Sequence, residues 1–213
     1  MADLIIVGAG DHARVALETA RALAMSVRAI VEPSQGTHPS VGVHGVPLVH
    51  DMTVVGTGDV AFIVAIGQNR VRAELFERAL ALGGSPATLV HPAAIVLDGA
   101  TIGAGSHVCA GAVVGLDARV GDDVIVNTGA TLDHDDLIGD HAFIGPGAHL
   151  AGRVVVERGA HVGIGSTVIE HRRIGAWSLV AAGAAVIGDV PPNARVAGVP
   201  ARAMETQGGE LEQ

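Results

Sequence analysis

The sequence predicts a mainly β fold, a solenoid of short strands over residues 89–204, behind a small α/β, Rossmann-like unit over residues 1–88. Three observations carry this. Aliphatic residues recur at every sixth position from Val90 to Val186. Strand-like and helix-like segments alternate before residue 89. The composition has 30 Gly, 49% apolar residues and 2% aromatics, so the core must come from Val, Ile, Leu and Ala. Residues 205–213 read as a polar tail.

Taken in order, Leu4–Val7 is a short apolar strand. A helix follows from His12 to Ala24, with Val15, Ala16, Leu17, Ala20 and Leu23 at helical spacing. Val27–Val31 is a second strand. Val60–Ile66 is a third, and its unbroken apolar character suits burial on both faces. Arg70–Leu82 reads as a helix closed by Gly83-Gly84. This β-α-β order implies a parallel sheet. His38, His44 and His50 share a six-residue spacing but fall in a loop.

From Val90 the aliphatic positions number seventeen in one unbroken phase. The position four further on is Ala, Ser or Val in fifteen of them, the exceptions being Asp136 and Arg172. Period six fits neither a helix nor a simple alternating strand. It fits strands joined by tight turns, with the aliphatic side chain facing the axis and the small one placed where the wall bends.

Several function classes are excluded. The net charge of −9 disfavours nucleic acid, which needs a basic face. No apolar stretch is long enough for membrane insertion. The single cysteine, Cys109, forbids an internal disulfide framework and suits a reducing cytoplasm. No two histidines stand five residues apart, as the three-His zinc site of a γ-class carbonic anhydrase requires, so no metal is expected.

Two segments carry chemistry. The first is Asn127-Thr-Gly-Ala-Thr-Leu-Asp133-His134-Asp135-Asp136. Carboxylates beside His134 fix its tautomer and suit it to act as a general base, with Asp135 in support. Asp136 places a charge in a slot that is otherwise small and buried, a violation expected at a working site. The second is Gly8-x-Gly10-x-x-Ala13, after a strand and opening a helix, with Glu32 about 22 residues beyond Gly10. That spacing is close to a dinucleotide fingerprint, and alone it is compatible with NAD. Gly67-Gln68-Asn69 ends another strand at the same edge of the sheet.

The hexads resemble those of the hexapeptide-repeat acyltransferases. That resemblance implies a left-handed parallel β-helix of triangular section, three hexads to a coil, assembled as a homotrimer with active sites between prisms. Within them, Asn127-Thr128, Asp133-His134-Asp135, Ile138-Gly139-Asp140, Pro146-Gly147-Ala148 and Ala151-Gly152 are similar to the motif of bacterial nucleotide-amino-sugar N-acetyltransferases and related sialic acid O-acetyltransferases.

Carried over, the resemblance makes His134 the base, lets Asn127 touch the sugar and gives the thioester carbonyl to the Gly152 amide. It places pantetheine along the backbone at Ile164 and Ala182, with Arg202 near the coenzyme phosphates. It assigns the N-terminal loop to a nucleotide-sugar, with Gly8, Gly10 and His12 at the pyrophosphate or sugar, Glu32 near the nucleoside, and Gly67 and Asn69 on the same rim. Phe143 departs from the motif, where relatives carry His, and Asp11 stands where they carry Gly.

The implied activity is acetyl transfer from acetyl-CoA, without a metal, to the amine of a nucleotide-linked amino sugar, a 4-amino-4,6-dideoxyhexose. O-acetylation of a sialic acid or related sugar is the alternative.

Overall fold

A computed structural model describes residues 3–33 and 45–204, so His38, His44 and the 205–213 tail lie outside the described residues. The N-terminal unit comprises β1 (Asp3–Val7), α1 (Asp11–Ala22), β2 (Val27–Val31), β3 (Leu48–Val49), β4 (Val60–Val64), α2 (Asn69–Ala81) and β5 (Ser85–Pro86). Its five strands run parallel in the order β3-β2-β1-β4-β5. Alternate residues of β1 face opposite layers, as the strand period requires. Leu4 and Ile6 pack with Leu17 and Ile30 under α1, and Ile5 and Val7 pack with Phe62 and Phe76 under α2. Val15 does not join the α1 core; it faces solvent on the outer side of the helix. His50 is fixed by donating Nδ1–H to the Glu32 carbonyl at 2.9 Å.

The solenoid has three walls of two-residue strands. The first wall holds Leu89–Val90, His107–Val108, Ile125–Val126, Phe143–Ile144, His161–Val162 and Leu179–Val180, and ends with Arg195–Ala197 and an antiparallel Arg202–Ala203. The second holds Ile95–Val96, Val113–Val114, Thr131–Leu132, His149–Leu150, Thr167–Val168 and Ala185–Val186. The third holds Thr101–Ile102, Arg119–Val120, Leu137–Ile138, Val155–Val156 and Arg173–Ile174. From Leu89 to Val186 each strand pairs with the one 18 residues on, so three hexads do close one coil; the last coil is shorter, with Leu179 opposite Arg195.

The hexad aliphatics fill the prism in one continuous core from Val108 to Val196. Val96 is 40% exposed, because the opening coil is covered from one side only. Arg172 escapes the core by turning outward, 3.8 Å from Asp189.

The N-terminal unit rests on the first wall. Leu89 is fully buried in the core that also contains Leu4 and Leu17. The α2 helix is stapled to the neighbouring edge of the prism by Arg72, a fully buried guanidinium. Arg72 donates to the backbone carbonyls of Asp123, His141 and Ala142 and pairs with the Asp123 carboxylate at 3.3 Å. His141 Nδ1 donates to the same carboxylate at 2.7 Å. Burial pushes the Asp123 carboxyl above its ordinary range, against the pull of His141 and Arg72.

Candidate active site

The turns between walls stack into three columns, one along each edge of the prism. Except at Pro92 and Pro146, which have none, the N–H two residues past the inward aliphatic takes no part in the backbone ladder among the described residues. Side chains cap it in several coils: Asp140 accepts from Asp122, Asp122 from Ala104, and Glu157 from Ala176. Where no side chain does so, the donor is open to a ligand.

His134 stands in this second turn position, on the edge between the second and third walls. Its backbone is fixed on both sides: its own N–H donates to Asp133 Oδ1 at 2.7 Å, and its carbonyl accepts from Arg153 at 3.0 Å. The ring is half-exposed, with Nδ1 2.8 Å from Asp135 Oδ2. That hydrogen bond is the main cause holding the Asp135 carboxyl below the ordinary carboxylate range, with the Arg153 guanidinium at 3.5 Å contributing against partial desolvation. An ionised carboxylate can only accept, so Nδ1 carries the proton and the Nε2 lone pair is free. Beneath that side of the ring, an apolar groove is lined by Leu97, Val113, Leu116, Leu132 and Leu150.

Gly152 occupies the equivalent position one coil on. A methyl group there would come 2.5 Å from His134 Nε2 and 2.7 Å from Cε1. The ring therefore lies directly over the glycine. Ala151 and Arg153 spend their N–H groups on the carbonyls of Val168 and His134. The Gly152 N–H between them has no acceptor among the described residues. A base and an open amide thus share one face, as acyl transfer requires. Gly152→Ala is expected to tilt the imidazole and lower kcat about tenfold or more. The melting temperature should barely move, because the Gly152 φ is not left-handed. Steady-state kinetics beside thermal unfolding checks this.

Ile164 and Ala182 hold the same turn position in consecutive coils, on the edge between the first and second walls. Both are exposed, and neither N–H has an acceptor among the described residues. Pro146, one coil earlier, supplies no donor at this position. Asn127 lies on the same edge and accepts from the Thr128 N–H through Oδ1. Arg202 is exposed and donates only to the Ala201 carbonyl among the described residues.

At the N-terminal unit, the strand order reverses between β1 and β4, where loops in such sheets bind ligands. Gly8 has φ +108°, and a methyl there would meet Ile66 Cγ1 at 2.7 Å, so glycine is required on both counts. A methyl at Gly10 or Gly67 would meet nothing within 4 Å, which leaves the rim open. Asp11 points fully into solvent, 3.6 Å from Arg14. Glu32 follows β2 and its backbone N–H bonds to Val49.

Two predicted rim residues take other work. Asn69 is buried; its Nδ2 donates to the carbonyls of Gly159 and Ala160 and its Oδ1 accepts from Arg72, so its amide fastens α2 to the prism instead of facing a sugar. His12 packs against the first wall, its Nε2 3.4 Å from His107 Nδ1. Burial, with Arg72 second, lowers its pKa to about 4, so His12 offers a neutral ring and no charge to a pyrophosphate. Burial likewise pushes the Cys109 thiol up to about 12, far from a nucleophile at neutral pH.

Phe143 stacks on His161 with centroids 4.5 Å apart and planes 10° off parallel. Burial brings His161 down to about 4. Phe143 and His161 thus form a neutral stacked pair, with Phe143 buried. Sequence reading missed this pair and the Asp123–His141 and Asp136–Val154 contacts. All three are 18 residues apart, one coil, and that spacing is the signal that finds them.

Residues 3–79 match the family model described as the PglD N-terminal domain. GDP-perosamine N-acetyltransferase of Escherichia coli O157:H7 is 33% identical over 149 residues, 68% of this chain and 67% of that protein. PerB from Caulobacter crescentus, solved with CoA and GDP-perosamine, is 37% identical and superposes with a TM-score of 0.89 over 96% of this chain and 98% of its own. The acetyltransferase domain of PglB from Neisseria gonorrhoeae FA1090, solved with acetyl coenzyme A, is 37% identical with a TM-score of 0.86, covering 95% of this chain and 98% of that one. The shared fold is a left-handed β-helix with an N-terminal domain. No helix among the described residues is long and apolar enough to cross a membrane. The chain therefore belongs to the hexapeptide-repeat family of acetyl-CoA-dependent nucleotide-sugar N-acetyltransferases.

Proposed function

We propose that this enzyme acetylates the amine of a GDP-linked 4-amino-4,6-dideoxyhexose, with His134 as general base. One observation carries the assignment of the base: His134 Nε2, freed by the Nδ1 bond to Asp135, overlies Gly152, whose N–H is open. The amine loses a proton to Nε2 as its nitrogen attacks the thioester carbon. The carbonyl oxygen takes up charge facing the Gly152 amide. The carbon–sulfur bond then breaks, and the leaving sulfur takes the proton held on His134 Nε2, so the coenzyme departs as the thiol and the base is restored. No acyl-cysteine step enters, since Cys109 is buried and protonated.

The coenzyme fits the residues present. The open N–H groups at Ile164 and Ala182 suit the amide carbonyls of pantetheine, and Arg202 suits a phosphate. The choice of GDP and of the deoxyamino sugar rests on the likeness to PerB and to the Escherichia coli enzyme. Gly8, Gly10, Glu32 and Gly67 form the nucleotide rim in this reading, and Asn127 meets the sugar.

The N-terminal unit covers the first wall, whereas His134 stands on the edge between the other two. A neighbouring copy bringing its rim and its Ile164–Ala182 edge beside His134 and Gly152 completes the site, so that the coenzyme lies between two copies, which supports a homotrimer. Reliance on acetyl-CoA and a nucleotide-sugar supports a reaction in the cytoplasm.

Acetyl-CoA consumption should be fastest with the GDP-linked amino sugar, slower with UDP- and dTDP-linked ones, and negligible with a sialic acid. Equal or faster turnover of the sialic acid would replace N- by O-acetylation.

A further inference from the structure

Asp136 is fully buried in the hexad slot where Ala, Ser or Val otherwise stands. Both of its oxygens are used. Oδ2 accepts from the Asp133 N–H at 3.0 Å, within the turn that carries His134. Oδ1 accepts from the Val154 N–H at 2.8 Å, in the next turn, which carries Gly152. The first two turns on this edge close differently. There Ala100 donates to the Leu97 carbonyl and Ala118 to the Gly115 carbonyl, each at 3.2 Å. In the fourth turn the equivalent N–H, that of Val154, goes to the Asp136 carboxylate instead.

A reduced version occurs on another edge, where Ser106 Oγ accepts from the Val124 N–H at 2.9 Å, one coil on. A hydroxyl thus suffices to hold the next coil. Only the two-oxygen side chain also holds its own turn. Burial drives the Asp136 carboxyl up to about 7, against its two backbone donors, so this arrangement is maintained at a cost that a plain alanine would avoid.

We propose that Asp136 is a positioning residue for acetyl transfer. Its carboxylate clamps the His134 turn to the Gly152 turn and so fixes the distance between the base and the amide facing the thioester oxygen. The inference rests on His134 being the base.

The test uses the full-length protein with Asp136→Asn and Asp136→Ser, alone and combined with His134→Ala. Asparagine keeps the volume but offers one acceptor. Serine keeps a hydroxyl able to accept from the next coil, as Ser106 does from Val124 while also donating to the Gly121 carbonyl at 2.8 Å, in a slot of known tolerance. Unfolding is followed by circular dichroism alongside kinetics. Both single variants should fold, and kcat should fall about 10²-fold for Asp136→Asn, with either KM changing less than about threefold. In the His134→Ala background the same substitution should cost less than about twofold, because its effect runs through the missing imidazole.

Folded single variants with kcat within about threefold of the parent overturn the proposal. So does an equal loss in both backgrounds, which makes Asp136 a part of the scaffold alone. Near-normal turnover of His134→Ala by itself would instead remove the base, a separate failure.

Discussion

Replacing His134 by alanine is expected to lower kcat by at least about 10²-fold, the usual share of a positioned general base. The protein should still fold. The ring is half-exposed and its one side-chain partner, Asp135, is itself on the surface, so stability should change by less than about 1 kcal/mol. Both KM values should stay within a few-fold, since the amine and the thioester meet the base only as the bond forms. His134→Asn sharpens the result: it retains a polar group over Gly152 but cannot take the amine proton. Initial rates at saturating acetyl-CoA, together with a melting curve, read both quantities. A variant turning over at near-parental rate would transfer the role to another group.

The largest effect on stability should come from Arg72. Arg72→Ala is expected to cost about 3–5 kcal/mol, the range for breaking a buried ion pair from one side. It removes donors from the carbonyls of Ile66, Asp123, His141 and Ala142, and leaves Asp123 facing His141 alone. One oxygen of that carboxylate already lacks a hydrogen-bond partner.

The loss should depend on pH. Burial holds the Asp123 carboxyl above its unfolded value, and without Arg72 it rises further. The folded variant then binds a proton that the unfolded chain has released, so its stability falls as pH rises. Denaturant unfolding at pH 5 and pH 8 should show the larger deficit at pH 8. A loss under about 1 kcal/mol at both values would mean that Asn69 and the apolar contacts suffice to dock α2.

These two residues mark what the sequence could and could not disclose. The solenoid was legible because its closure is periodic: Val108, Val126 and Ile144 face the same axis for the same reason, and the repeat shows it without tertiary knowledge. His134 was legible because Asp136 breaks that periodicity with charge and Asp133 and Asp135 set carboxylates on either side of the imidazole.

Arg72 was invisible. Its partners on the prism lie 51 to 70 residues away, and an arginine in an amphipathic helix reads as an exposed one. Asn69 misled for the same reason, since a polar residue at a sheet edge looks like a ligand contact until the prism is docked against it. Phe143 was singled out as a departure, but its stacking on His161 needed the 18-residue coil to be applied across strands.

The column of open N–H groups has a practical consequence. A coenzyme gripped at Ile164 and Ala182 by main chain alone is hidden from alanine scanning, because every replacement side chain brings the same donor. Proline is the residue that deletes the donor, and Pro146 shows that the slot accepts its ring. On the coenzyme placement proposed above, the donors along this edge are set by which coils carry an imino acid and not by the side chains.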